Sequence, residues 1–162
     1  MSTKSALEKF AKQVVKESKT ALTKKKKNTS KKLYDSLGYD LNVSPNSFSL
    51  SFTMEDYGEF IDKGVKGNKS SAKAPKSPYS YKSKMPPTKS LDKWIVKKGI
   101  APKDKKGKFI SRESLKFAIA KNIQMYGIET TNFFTKPFES AFKSLPDDLL
   151  NDFGLDIDNM LR

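Results

Sequence analysis

Neither cysteine nor histidine occurs anywhere in the 162 residues. Without thiols there is no disulfide framework and no thiolate metal site. Without imidazole the usual general base and the commonest metal ligand are both missing. A Ser-His-Asp triad and a zinc centre are therefore excluded, and neither a metal nor a cofactor is expected. Arginine is nearly absent as well: of 32 basic residues only Arg112 and Arg162 are arginines. Guanine is read by the bidentate guanidinium fork, so base-specific DNA recognition is not expected. No apolar run approaches the roughly 20 residues that a membrane span requires, and the basic N-terminus lacks a signal-peptide apolar core. A soluble chain made in a cytoplasm, with no membrane partner, is the expectation.

What is present is lysine and aromatic residues. The length suits one domain with a real core, and 11 Phe, 6 Tyr and 1 Trp argue against wholesale disorder. The net charge is +14, unevenly spread. Residues 63–108 hold 15 Lys against 2 Asp, whereas residues 144–162 hold 5 Asp against 1 Arg. Such a balance fits a polyanion or an acidic protein face, or else a plain solvated lysine surface.

Along the chain the hydrophobic period changes. Leu7, Phe10, Ala11, Val14, Val15, Ala21 and Leu22 mark one face of an N-terminal helix capped by Thr3 or Ser5. The lysines at 24–27 end it, and Ser30 is placed to cap a short helix that stops at Gly38. Tyr39, Leu41 and Val43, then Phe48, Leu50 and Phe52, alternate with polar residues around "SPN" and predict a β-hairpin whose buried face the first helix covers. Tyr57, Phe60 and Ile61 are spaced to face one way, and Gly64 then ends the segment. Residues 65–87, rich in Lys, Ser and Pro, are expected to form a long loop, mobile in the free subunit and ordered by neighbours. Two helices follow, one capped by Ser90 with Leu91, Trp94 and Ile95 on one face and a stop at Gly99. The other opens at Ser111, with a stripe of Leu115, Ala118, Ile119, Asn122, Ile123 and Tyr126 and a second Gly-Ile stop at Gly127. A helix near Pro137 carries Phe138 and Phe142, with Phe133 and Phe134 just before it. An acidic helical segment, 146–162, closes the chain with Leu149, Leu150 and Phe153 as its apolar face.

The stretch "DKGVKGNKSS" at 62–71 has the ingredients of a phosphate-binding loop, two glycines and then lysine followed by serine. A Walker A loop needs glycine directly before Lys-Ser and an apolar helix after it. Asn68 stands before Lys69, and a proline-rich stretch follows, so the glycines are expected to serve a loop.

Three short motifs then fall in order. Leu33, Ser36 and Leu37 match a Leu-x-x-Ser-Leu/Ile piece. Tyr57, Phe60, Ile61 and Gly64 match a Tyr-Ala-x-x-Val/Ile-Glu-x-Gly-Thr piece, and Phe134, Pro137, Phe138 and Ala141 match an aromatic-x-x-Pro-Phe-x-x-Ala piece. With the helix and hairpin between them, this succession resembles the tail-completion, or head–tail joining (neck), proteins of tailed bacteriophages. Departures are Gly58 in place of alanine, Asp62 in the acidic place, Val65 after Gly64, and a lengthened region at 86–127.

The resemblance implies an α+β fold: a long N-terminal helix on a small antiparallel sheet, with Tyr57, Phe60 and Ile61 packed beneath the sheet, long loops and short C-terminal helices. The neck-like domain is 1–145, with the basic loop and helical insertion at 65–127. It implies a structural virion protein, not an enzyme, forming a six- or twelve-fold ring in the neck. That ring is assembled in the host bacterial cytoplasm and touches portal, neck or tail proteins around a DNA channel, with room for non-specific DNA contact. Candidate interface residues are Lys66, Lys69, Lys73, Lys76, Tyr79 and Tyr81 of the loop and Leu149, Leu150 and Phe153 of the acidic segment. In that reading the acidic segment of one copy, or an acidic partner ring, docks on the loop of its neighbour. Two other functions compete. One is a free basic nucleic-acid binder that stacks bases on Tyr79, Tyr81 and Trp94. The other is an enzyme holding Mg²⁺ on Asp56, Glu59 and Asp62, residues whose spacing equally fits the wet face of a helix.

Overall fold

The computed structural model describes residues 3–27, 31–45 and 47–149. In chain order the elements are α1 (Thr3–Lys24), α2 (Lys32–Ser36), β1 (Gly38–Ser44), β2 (Ser47–Thr53), α3 (Gly58–Lys63), β3 (Val65–Lys66), α4 (Lys89–Lys98), α5 (Arg112–Tyr126), β4 (Gly127–Ile128) and α6 (Thr135–Phe142). They fall into two compact units, one of residues 1–56 and 132–162 and one of residues 57–131. The fold is mixed α+β, with the long first helix on a small antiparallel sheet and short helices towards the C-terminus.

In the first unit α1 buries Ala6, Leu7, Phe10, Ala11, Val14, Ser18 and Leu22, close to the face its apolar spacing predicts. Thr3 and Ser5 lie inside the helix rather than at its cap. Its end is a Schellman turn: Lys27 N–H donates to Leu22 O at 3.0 Å and Lys26 N–H to Thr23 O at 3.1 Å. Lys26 itself sits at φ 55°. A Cβ is strained in that left-handed region, so Lys26→Gly is expected to raise stability by about 1 kcal/mol in urea titration, the reverse of the cost that introducing glycine has elsewhere in a helix. The Ser30 cap lies outside the described residues. Leu37 caps α2 in an extended conformation and Gly38 opens β1 directly, so Gly38 is not a left-handed stop.

The hairpin is regular. Its ladder runs from Gly38 opposite Thr53 to Ser44 opposite Ser47 and pairs Tyr39 with Phe52, Leu41 with Leu50 and Val43 with Phe48. Leu41, Leu50 and Phe52 pack on a core of Leu7, Phe10, Val14, Ala141 and Leu145, joined by Phe134, Phe138 and Leu149. Phe10 is its aromatic hub, meeting the rings of Phe52, Phe138 and Phe142 edge-on at 6.0, 5.6 and 6.3 Å. Pro137 sits in the first turn of α6, where its missing N–H costs no helical bond, and is buried. Phe133 is fully buried, while Phe142 keeps half its surface in solvent. Residues 145–149 are helical, and Leu145 and Leu149 pack on this same core. Leu150 and Phe153 lie outside the described residues.

In the second unit α4 begins at Lys89 with Thr88 as its N-cap, so Ser90 is already inside the helix. It ends in the expected Schellman turn, with Gly99 at φ 66° and Ile100 N–H donating to Ile95 O at 3.2 Å. Ser111 caps α5 by accepting from Ser114 N–H. The buried face of α5 is Leu115, Lys116, Ala120 and Gln124, flanked by Ile119 and Ile123, so the predicted stripe is rotated and Ala118, Asn122 and Tyr126 face solvent. Gly127 does not repeat the Gly99 stop. At φ 80° it turns α5 straight into β4, which pairs with β3 through Val65–Ile128 and Lys66–Gly127.

Candidate interaction surfaces

The loop at 65–87 has little regular structure, yet its backbone is bound at many points. Lys66 N–H donates to Tyr79 O and Lys66 O accepts from Tyr81 N–H. Gly67 N–H is bonded to Ser70 O, Asn68 N–H to Gln124 O, and the N–H groups of Lys69 and Ser70 to Met125 O, at 2.8–3.1 Å. The last carbonyls of α5, which a helix leaves without internal partners, are thereby satisfied by the loop. These are also the N–H groups that would have to converge on a phosphate, so the nucleotide-loop resemblance fails on geometry. The glycines serve close approach instead: a Cβ on Gly67 would stand 2.1 Å from Met125 O, and one on Gly64 2.6 Å from Ile128 O.

Side chains fasten the loop further. Ser77 Oγ donates to Gly64 O at 2.7 Å, and the Asn68 and Gln124 amides both donate to Lys82 O. Thr130 and Thr131 hydroxyls donate to Lys63 O and Ile61 O. The expectation of a loop left loose in the single chain is therefore corrected. Its composition offers little to bury, but backbone bonding to the end of α5 holds it in place.

The motif residues take unlike positions. Leu33 and Leu37 are buried, and Ser36 Oγ donates to Leu33 O at 2.7 Å while accepting from Glu55 N–H at 2.9 Å, tying α2 to the end of β2. Ala141 is buried, and Phe134 and Phe138 pack on the core of the first unit. Tyr57 and Phe60, expected beneath the sheet, are exposed, with Ile61 half-buried. The buried positions of α3 are Gly58 and Asp62.

Phe60 instead lies edge-on to Tyr79, centroids 4.8 Å apart. The Tyr79 hydroxyl and the Lys63 ammonium bind the Glu59 carboxylate, which lowers its pKa and raises that of Tyr79. Tyr81 is partly buried, which pushes its phenol up. The Tyr79 side chain is thus engaged by Phe60 and Glu59, while Tyr81 is held through its backbone N–H and keeps a half-buried ring. Glu59 is committed to Lys63 and Tyr79, and among the described residues no three carboxylates come together as a metal site. The Mg²⁺ reading of Asp56, Glu59 and Asp62 is not supported by any such cluster. Lys69, Lys73 and Lys76 are exposed, and Lys66 is half-buried in β3.

Two features go beyond what the sequence conveys. The first belongs to the turn that "KDKKGK" predicts at 103–108, where the Asp104 carboxylate accepts from the N–H groups of Lys106 and Lys108 at 2.9 Å each. The Lys103 ammonium lies 4.8 Å from the centroid of the Phe109 ring, which is 72% exposed. "KDKKGK" signals the turn but not the exposed aromatic after it. The second is Lys116, buried and ion-paired to Asp92 at 3.1 Å and Glu113 at 2.6 Å, which ties α5 to α4. Those carboxylates, Glu113 first, raise its pKa above the ordinary 10.5.

A raised folded pKa means that this contribution is complete below the unfolded value and lost as pH rises through the folded one. Unfolding titrations at about pH 9 and about pH 11.5 are expected to show Lys116→Met losing less stability than wild type across that interval. Equal slopes would contradict the ion-pair account.

The charge is concentrated in this unit: residues 57–131 carry 18 basic and 6 acidic residues, whereas the other unit is close to neutral at +2. Compared with family models, with curated proteins and with solved structures, the chain matches none of them. Among the described residues no helix is long and apolar enough to cross a membrane.

The hairpin of the first unit is the other open surface. Its apolar face runs past the core to Val43 and Phe48, 43% and 51% exposed. Its opposite face is Asp40, Asn42, Ser44, Ser47, Ser49, Ser51 and Thr53, small groups with one charge.

Proposed function

We propose that the chain is a structural subunit of a phage neck, a head–tail joining or tail-completion protein that works as a ring between portal-side and tail-side proteins. The observation that carries this reading is the hairpin, whose apolar strip continues into solvent at Val43 and Phe48 within an otherwise lysine-dominated chain. Exposed apolar surface joined to a core marks a contact surface. The ordered motifs support the same reading, since Ser36 and the Phe134–Ala141 segment help build the unit that presents the hairpin. The test is genetic. Deleting the gene from a phage that encodes the chain is expected to leave filled heads and free tails unjoined, with the protein found by mass spectrometry in wild-type particles. Normal particles without the protein would reject the proposal.

A second reading, non-specific nucleic-acid binding, has one observation in its favour. In the basic unit Asp92 and Glu113 are taken by Lys116 and Glu59 by Lys63, and the 103–109 turn sets four exposed lysines, Lys103, Lys105, Lys106 and Lys108, against the single carboxylate of Asp104. Binding of this kind weakens steeply with salt through counterion release. Weak, sequence-independent binding near physiological salt is expected. Tight binding there would put this reading first.

A further inference from the structure

From Leu33 to Asp62 the chain has no lysine or arginine, although its average density would place about six basic residues in a stretch of that length. The hairpin occupies the middle of this gap. Proteins normally guard an open sheet edge with lysine, proline, a bulge or a covering element. Here the ladder from Gly38–Thr53 to Ser44–Ser47 is unbroken by any bulge, Pro45 is confined to the turn, and no lysine is present. Among the described residues neither edge bonds to a further strand. The core of the unit packs on the hairpin's apolar face and leaves Val43 and Phe48 beyond it.

We propose that the hairpin pairs edge to edge with the hairpin of a second copy of this chain, β1 of one copy against β2 of the next. Charge singles out the second copy. Lysine-rich surfaces on two identical chains repel, whereas the hairpins meet without apposing a single basic side chain. Strand direction agrees: β1 and β2 are antiparallel, so hairpins set side by side in the same sense continue the alternation without a reversal. Each new pair places Phe48 of one copy beside Val43 of the next, so that the two side chains pack against each other across the junction. A head-to-tail contact of this kind closes into a ring in which no edge remains open. For that closure, though not for the pairing itself, the inference rests on the reading of the chain as a ring subunit.

The absence of cysteine makes the test clean. Single cysteines are placed on the exposed polar face of β1 (Asn42→Cys, Ser44→Cys) and of β2 (Ser47→Cys, Ser49→Cys, Ser51→Cys), mixed in pairs in the full-length chain and oxidised. The expected products are disulfides between a β1 cysteine and a β2 cysteine of another copy, in clear excess over β1–β1 and β2–β2 products. A same-strand pattern, or no intermolecular product from any pair, overturns the proposal.

Asn42→Lys and Ser49→Lys, made separately, each place a lysine on one strand of the exposed face without a like charge opposite it in the same hairpin. Each is expected to retain its circular dichroism and thermal transition while weakening the assembled species in sedimentation. Unchanged assembly overturns the proposal too. Hairpin cross-links in a protein that never enters particles would leave this inference standing and sink the neck reading. Incorporation into particles without such cross-links would do the reverse.

Discussion

Gly127→Ala is expected to unfold the basic unit or to destabilise it by about 3 kcal/mol or more. Gly127 is at φ 80°, and a Cβ there would stand 2.0 Å from Val65 O and 2.6 Å from Gly67 N. Both obstacles are backbone atoms of the facing strand and loop, so no side chain can swing aside. Relief requires breaking the β3–β4 pair and with it the loop's bonds to the end of α5. Gly99→Ala is the control. It shares the left-handed backbone, φ 66°, but has nothing within 4 Å of the added Cβ, so only the conformational cost of about 1 kcal/mol applies. Trp94, the one tryptophan, lies in this unit, so its fluorescence in urea reports the difference directly. Equal losses for the two substitutions would show that the close approach is not what makes Gly127 necessary.

Phe10→Ala is expected to cost about 3–5 kcal/mol, the range for removing a buried aromatic from a packed core. Phe10 is 6% exposed and joins α1 to the hairpin through Phe52 and to α6 through Phe138 and Phe142. Such edge-on pairs add about 0.5–1.5 kcal/mol each beyond burial. Phe142→Ala, at the solvent-facing end of the same cluster, is expected to cost well under half as much. Helical circular dichroism through thermal unfolding checks both, and a Phe10 loss no larger than that of Phe142 would contradict the hub role.

What the sequence conveyed and what it did not have physical causes. The first helix and the hairpin were legible because each buries one side, so a period of 3.6 and then of 2 is written in apolar residues alone. α5 was misread by the same rule. Two of its four buried side chains are polar, Lys116 held by two carboxylates and Gln124 by Lys82 O, and apolar counting gives them no weight. Tyr57 and Phe60 were expected inside because they are apolar. The inner positions of α3 went instead to Gly58 and Asp62, while Ile61 O and Asp62 O receive bonds from Thr131.

The loop shows the converse failure. Composition reports what side chains can bury and is blind to N–H groups that satisfy the end of a helix. The hairpin surface was legible in another way, through the missing lysines of residues 33–62, a pattern visible only against the chain's own average.

The central proposal, that this chain is a ring subunit, is tested most directly by native mass spectrometry of the full-length protein across a wide concentration range. The expected result is one closed oligomer of fixed copy number that does not grow as concentration rises, because a closed cyclic contact has no free end. A monomer at every concentration, or a ladder of ever larger species, would contradict it.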